Sequence, residues 1–171
     1  MSFRMPARAA GLLLTALGVL GGCAATHAPP VAAEQPVRAA AAANANALAE
    51  EMRGWAAANG TSLQRTWGVD VVGVRLVSSD WMLEFKYRVL DADKAAPLLD
   101  QHAKPYLVDD ASGARLAVPA MENVGELRQH SVPNANRVYF MIFGNANKIV
   151  ARGGHVSVVI GQFQASGLPV Q

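Results

Sequence analysis

One cysteine stands in 171 residues. That excludes an internal disulfide framework, a CxxC redox motif and a cysteine zinc knuckle. Charge is scarce as well, with Asp, Glu, Lys and Arg making up 16% of the chain. Arg4 and Arg8 precede the first long apolar run, and beyond them acidic and basic residues balance. No net positive charge remains there to draw the chain to nucleic acid or to acidic lipid. The sequence has no phosphate loop, GxSxG elbow, EF-hand loop, HxH pair or HExxH pair, so the common local signatures of phosphoryl transfer, serine hydrolysis and metal chemistry are missing. No segment repeats at a fixed period. The length allows one ordinary domain with a real core.

The first segment reads as an address. Arg4 and Arg8 give a short positive region, and Ala9 to Leu20 follow as an apolar run. A membrane-spanning helix needs about 20 residues, and this run has instead the size of a secretory signal. It ends in Leu20-Gly21-Gly22-Cys23, which resembles the lipobox of bacterial lipoproteins. The resemblance implies removal of residues 1–22 as a signal peptide and acylation of Cys23, by diacylglycerol on the thiol and a fatty acid on the new amine. Several chains on one residue hold a protein far longer than a single acyl chain does. Ala24 follows where the enterobacterial sorting pattern places Asp for inner-membrane retention. The expected location is therefore the outer membrane, facing the periplasm.

Residues 23–43 are rich in Ala and Pro, with Val31 and Val37 as the only large apolar groups. Such a stretch buries too little to offset its ordering entropy, which predicts a disordered tether. Residues 44–60 then read as a short helix. Asn44 or Asn46 caps it, Leu48, Met52 and Trp55 form one stripe, and Gly60 stops it. From Trp67 the period becomes two. The first strand has two apolar faces: Val69, Val71 and Val77 on one, Val72, Val74 and Leu76 on the other. Ser78-Ser79-Asp80 turns the chain. Trp81, Leu83, Phe85, Tyr87 and Val89 then alternate with mostly charged residues in the clearest strand of the sequence.

Asp91 is expected to cap one helical turn that Pro97 limits. Short strands follow at Tyr106 to Val108 and Arg115 to Val118, around an Asp109–Gly113 turn. Residues 119–136 form a long irregular loop. A strand is expected over Arg137 to Phe143, an edge piece at Ile149 and Val150, and a final strand over His155 to Gln164. The pattern predicts a mainly β fold: an immunoglobulin-like antiparallel β-sandwich over residues 66–165, with a small open barrel as the main alternative, preceded by one short helix and followed by a tail, 166–171. Tyr139 sits where such domains carry a corner tyrosine.

The segments Tyr87-Arg88-Val89, Lys94-Ala95-Ala96-Pro97-Leu98, Lys104-Pro105-Tyr106-Leu107-Val108-Asp109, Tyr139-Phe140-Met141 and Val158-Val159-Ile160-Gly161 resemble a group of uncharacterised bacterial envelope proteins. The resemblance implies no activity and adds no site residues.

Chemistry is thinly spread. His27, His102, His130 and His155 are far apart in sequence. Together with Met82, Met121 and Met141 they are the only candidates for copper handling. Asp91 with Asp93, and Asp109 with Asp110, sit in turn contexts. Trp67, Trp81, Tyr87, Tyr106 and Phe163 are candidate partner contacts, with the core as their default place. The 119–136 loop, holding Met121, Glu122, Glu126, Arg128 and His130, is long enough to draw attention. No residue is assigned to catalysis, a cofactor or a metal, and Cys23 is the one assigned site. The expected function is a lipid-anchored binding or adaptor module that meets an envelope protein or another envelope component. Copper handling and an enzyme without a recognisable motif are the alternatives.

Overall fold

The computed structural model describes residues 34–123 and 125–171. The fold is mixed α/β, with antiparallel sheets and two helices. Helix α1, Glu34–Trp67, is the largest departure from the sequence expectation of a short helix over 44–60. Part of the expected tether, residues 34–43, is helical. Alanine carries the highest helix propensity of any residue, and Pro36 lies in the first turn, where its missing N–H has no intrahelical partner to lose. Gly60 does not end the helix. A mid-helix glycine costs about 1 kcal/mol relative to alanine, whereas burying Leu63 one turn later returns roughly 1.5–3 kcal/mol. The stop is Gly68, left-handed at φ 62°, whose N–H closes on the Gln64 carbonyl at 3.0 Å. The apolar stripe therefore runs Leu48, Met52, Trp55 and Leu63, all buried, while every residue from 36 to 47 is exposed.

Strand β1, Val69–Val77, pairs with β2, Met82–Val89, and β2 pairs with β7, Val138–Gly144. The two-faced reading of β1 resolves into a bulge. The register slips between Val71 and Gly73, with Gly73 at φ 144°. Val69, Val71 and Val74 are all buried, although strict alternation would separate them, and Val72 is exposed. In β2 the alternation holds: Leu83, Phe85, Tyr87 and Val89 are buried. Trp81 precedes the strand, in the turn, and is 55% exposed.

Helix α2, Ala92–Leu99, is capped by the Asp91 carboxylate, which accepts from the Asp93 and Lys94 backbone N–H groups. It extends past Pro97, because Leu98 and Leu99 beyond the proline are buried. The second sheet orders β4, Arg115–Ala117; β3, Tyr106–Asp109; β8, His155–Ile160; and β9, Phe163–Pro169. The expected single closing strand over 155–164 is thus a hairpin. It turns at Gly161, left-handed at φ 58°, in the first of two loop positions. The expected tail, 166–171, is largely strand. Leu168, Pro169 and Val170 are buried, and Val170 bridges to Val74 of β1 in parallel. The Gln171 N–H donates to Val74 O at 3.0 Å, and Leu76 N–H donates to Gln171 O at 2.9 Å. Ile149 is exposed beside a 3-10 turn, Ala146–Lys148, where an edge strand was expected.

The 119–136 loop contains a small hairpin, β5, Ala120–Met121, with β6, Gly125–Glu126. Leu127 O then accepts from Ile142 N–H of β7, and Arg128 bridges to Met141. Buried side chains of both sheets and both helices form one apolar cluster. Helix α1 packs on β9 and β1, and Trp55 fixes it there by donating its indole N–H to Ser166 O at 2.7 Å.

Candidate functional site

Buried polar side chains tie separate segments of the domain together. Arg128 has no exposed side-chain surface. Its Nε donates to Glu126 Oε2 at 2.7 Å, Nη1 to Asp100 O at 3.1 Å, and Nη2 to Gln101 O and Ala103 O, both at 2.9 Å. One side chain of the long loop thus holds the carbonyls of the α2–β3 connection from beneath. Sequence reasoning named Arg128 only as a loop residue, since nothing local marks an arginine whose partners lie some 25 positions away. Glu126 is held below the usual carboxylate range by its hydrogen bonds from Arg128 and then Lys104.

Asn145 is fully buried and plays the same part at the other end of the sheets. Its amide donates to Asp80 O and Val150 O, each at 2.8 Å, and its carbonyl accepts from Val150 N–H at 3.0 Å. The Ser78–Asp80 turn is left-handed at all three residues, with φ from 54° to 69°. Lys148 Nζ lies 5.6 Å from the centre of the exposed Trp81 ring. Tyr139, the expected corner residue, donates its hydroxyl to Val132 O at 3.3 Å and accepts from Asn134 N–H at 2.9 Å. Its neighbour Tyr87 stacks on it and on Phe85, with a buried hydroxyl that has no partner among the described residues. Burial, reinforced by Tyr139, pushes the Tyr87 phenol well above the ordinary tyrosine value.

The connection held by Arg128 forms one wall of an open cleft of about 380 Å³. Its lining includes Trp67, Asp100, His102 and, from the β8–β9 turn, Gln162. Trp67 is half-buried and meets Phe163 edge to face, with centroids 5.8 Å apart. The Asp100 carboxylate accepts from the His102 backbone N–H at 2.9 Å and lies 3.0 Å from His102 Nδ1. The backbone bond first, then the ring, holds Asp100 below its ordinary value. A carboxylate and an imidazole therefore pair here, but no Ser, Thr, Cys, Lys or Arg lines the cleft. The arrangement can hydrogen-bond and stack against a ligand.

The remaining sequence candidates do not converge on this cleft. His155 faces α1, with Nε2 2.7 Å from Glu51 Oε1, and His130 is exposed in the long loop. Met141 is in the core, Met82 is half-buried and Met121 is exposed. Among the described residues, no three His, Cys, Asp or Glu side chains come together in a cation-binding group. His27 and Cys23 lie outside the described residues. Asp91 caps α2, while Asp109 accepts from the Ser112 N–H and hydroxyl within its turn, and Asp110 accepts from Ser157. Tyr87 and Phe163 are core residues and Tyr106 is half-buried under Arg115. No helix among the described residues is long and apolar enough to cross a membrane. No family model, curated protein or solved structure matches the chain.

Proposed function

We propose that this chain is a lipid-anchored envelope protein, held at Cys23 and facing the periplasm from the outer membrane, that presents a sandwich-like β domain as a binding module. The anchor rests on the lipobox-like residues 20–23. The sandwich rests on two antiparallel sheets that share one apolar cluster, and on the hydroxyl of Tyr139 reaching back to the chain before its strand. The exposed first half of α1 suits a spacer, since residues 36–47 bury nothing and extend about 1.5 Å each.

The observation that carries the binding role is the Trp67 cleft with its wall fixed by Arg128. A preformed concave surface with an apolar floor and a few polar groups at its rim is what ligand sites share, and a wall already held in place loses little freedom on binding. A photo-crosslinking amino acid at Gln162, carried by the full chain in intact cells, tests the role. Capture of a defined envelope component from Gln162, and not from Ser112 on a distant turn, is the expected result. Equal labelling at both positions overturns it. For the anchor, Cys23→Ser is expected to abolish fatty-acid labelling and release the protein into the soluble fraction; labelling that persists overturns it.

A further inference from the structure

Resting on the binding role of the Trp67 cleft, we infer that its ligand is a glycan, with one pyranose ring seated between the Trp67 indole and the side chains of Asp100, His102 and Gln162. Four features of the cleft select this chemistry. Its floor is apolar, formed by Trp67, Pro97, Ala103 and Ile160, and the C–H face of a sugar ring packs well on indole. Its polar groups are a carboxylate, an imidazole and a carboxamide, which can both donate to and accept from vicinal hydroxyls.

No lysine or arginine lines it. A phosphate or carboxylate ligand would meet the Asp100 carboxylate with no lysine or arginine in the lining to offset the repulsion, the His102 ring being already paired with Asp100 at 3.0 Å and Lys104 bound to Glu126 at 3.0 Å. A neutral polyhydroxylated ligand carries no such penalty. Finally, about 380 Å³ falls within the range of roughly 300–1,000 Å³ typical of small-ligand clefts. The cleft is open, which leaves room for further sugar units to extend out of the site.

The groups that make the hydrogen bonds are not the groups that hold the fold. His102 is 80% exposed at its side chain, and Gln162 is exposed at a turn. Arg128 and Phe163 support the cleft without facing the ligand. Exposed rim residues can therefore be changed while the domain stays intact.

The experiment is titration of the detergent-solubilised full chain with tri-N-acetylchitotriose and with cellotriose, followed by tryptophan fluorescence and by saturation transfer to the sugar protons. Saturable binding is expected, weakened about fivefold to tenfold by either Gln162→Ala or His102→Ala, the loss of one hydrogen bond each, with an unchanged melting temperature. Trp67→Phe is expected to remove the fluorescence change and weaken binding further. Binding of the acetylated trisaccharide alone identifies the amino-sugar strands of the cell wall as the source. Equal binding of cellotriose identifies a neutral surface polysaccharide. The proposal is overturned if neither sugar binds, if binding is indifferent to Gln162 and His102, or if choline displaces the sugar and so marks an ammonium site. Capture of a protein from Gln162 in cells, with no sugar bound in the titration, overturns the glycan and leaves the binding role standing.

Discussion

Tyr87 and Tyr139 are adjacent stacked tyrosines in one core, and they should respond oppositely to the same change. The Tyr87 hydroxyl is buried without a partner among the described residues, so Tyr87→Phe removes a desolvated group. Denaturant titration is expected to show a gain of about 1 kcal/mol. The Tyr139 hydroxyl serves Val132 O and Asn134 N–H, and Tyr139→Phe should cost about 1–2 kcal/mol. Equal shifts in the two variants would contradict these hydrogen bonds. Asn145→Leu strands the buried Val150 carbonyl and N–H and releases the part-buried Asp80 carbonyl, and should cost about 3 kcal/mol. Individual buried polar roles were only partly legible in the sequence. Tyr139 stood out through its place early in a late strand. Asn145, just past the expected strand over Arg137 to Phe143, and Arg128, one more loop charge, carry no local mark, because their partners are backbone groups that only the fold brings to them.

Gly54 inside helix α1 and Gly68 just beyond its last residue test where the helix end is set. Gly54 is exposed within the helix and a methyl there meets nothing within 4 Å, so Gly54→Ala should stabilise by about 0.5–1 kcal/mol. Gly68 is left-handed, and a methyl there would lie 2.5 Å from Asp91 Cβ and 2.8 Å from Asp91 O. Gly68→Ala should cost more than about 2 kcal/mol. Thermal melts of the two variants separate an interior glycine from a terminal one. The sequence marks both in the same letters, which is why the helix end at Gly60 was misplaced. What distinguishes Gly68 is the chain that returns to it: Leu90 and Asp91 both donate N–H groups to its carbonyl, at 2.7 and 3.0 Å. Elements with one clean periodicity, such as β2 with its buried Leu83, Phe85, Tyr87 and Val89, were readable except at their start, where Trp81 falls in the turn. β1 was not, because a bulge at Gly73 reassigns faces midway. The 155–164 run hid a hairpin because one glycine, without a partner such as Asn, is a weak turn signal.

For the molecule as a whole, ionised carboxylates couple stability to pH. Burial pushes Glu84 up, but hydrogen bonds and charge from Arg75 and Lys86 outweigh it and leave it below 4.5. Glu126 is lowered by Arg128 and Lys104. A carboxylate whose folded value is lowered contributes in full above its unfolded value, near 4.5, and that contribution is lost as pH falls through the folded one. Urea midpoints should therefore stay flat down to about pH 5 and fall steadily below 4.5. Glu126→Gln should flatten that decline and leave the Arg128 contacts to the 100–103 carbonyls in place. A midpoint that rises on acidification would contradict the pairing. The sequence disclosed the balance of charge and the strand-rich layout. It concealed the cleft, whose walls come from three separate stretches around Trp67, Asp100–Ala103 and Ile160–Gln162.

The parallel bridge from Val170 to Val74 joins the first strand of the domain to its last residues. Such a closure sets an order of assembly. Until residues 163–171 are made, β1 lacks the partner that Val170 and Gln171 supply along one of its edges. Contacts this remote in sequence slow folding through the loop that must close before they form. Before that segment is available β1 presents an open edge, the kind of unfinished sheet edge that favours aggregation.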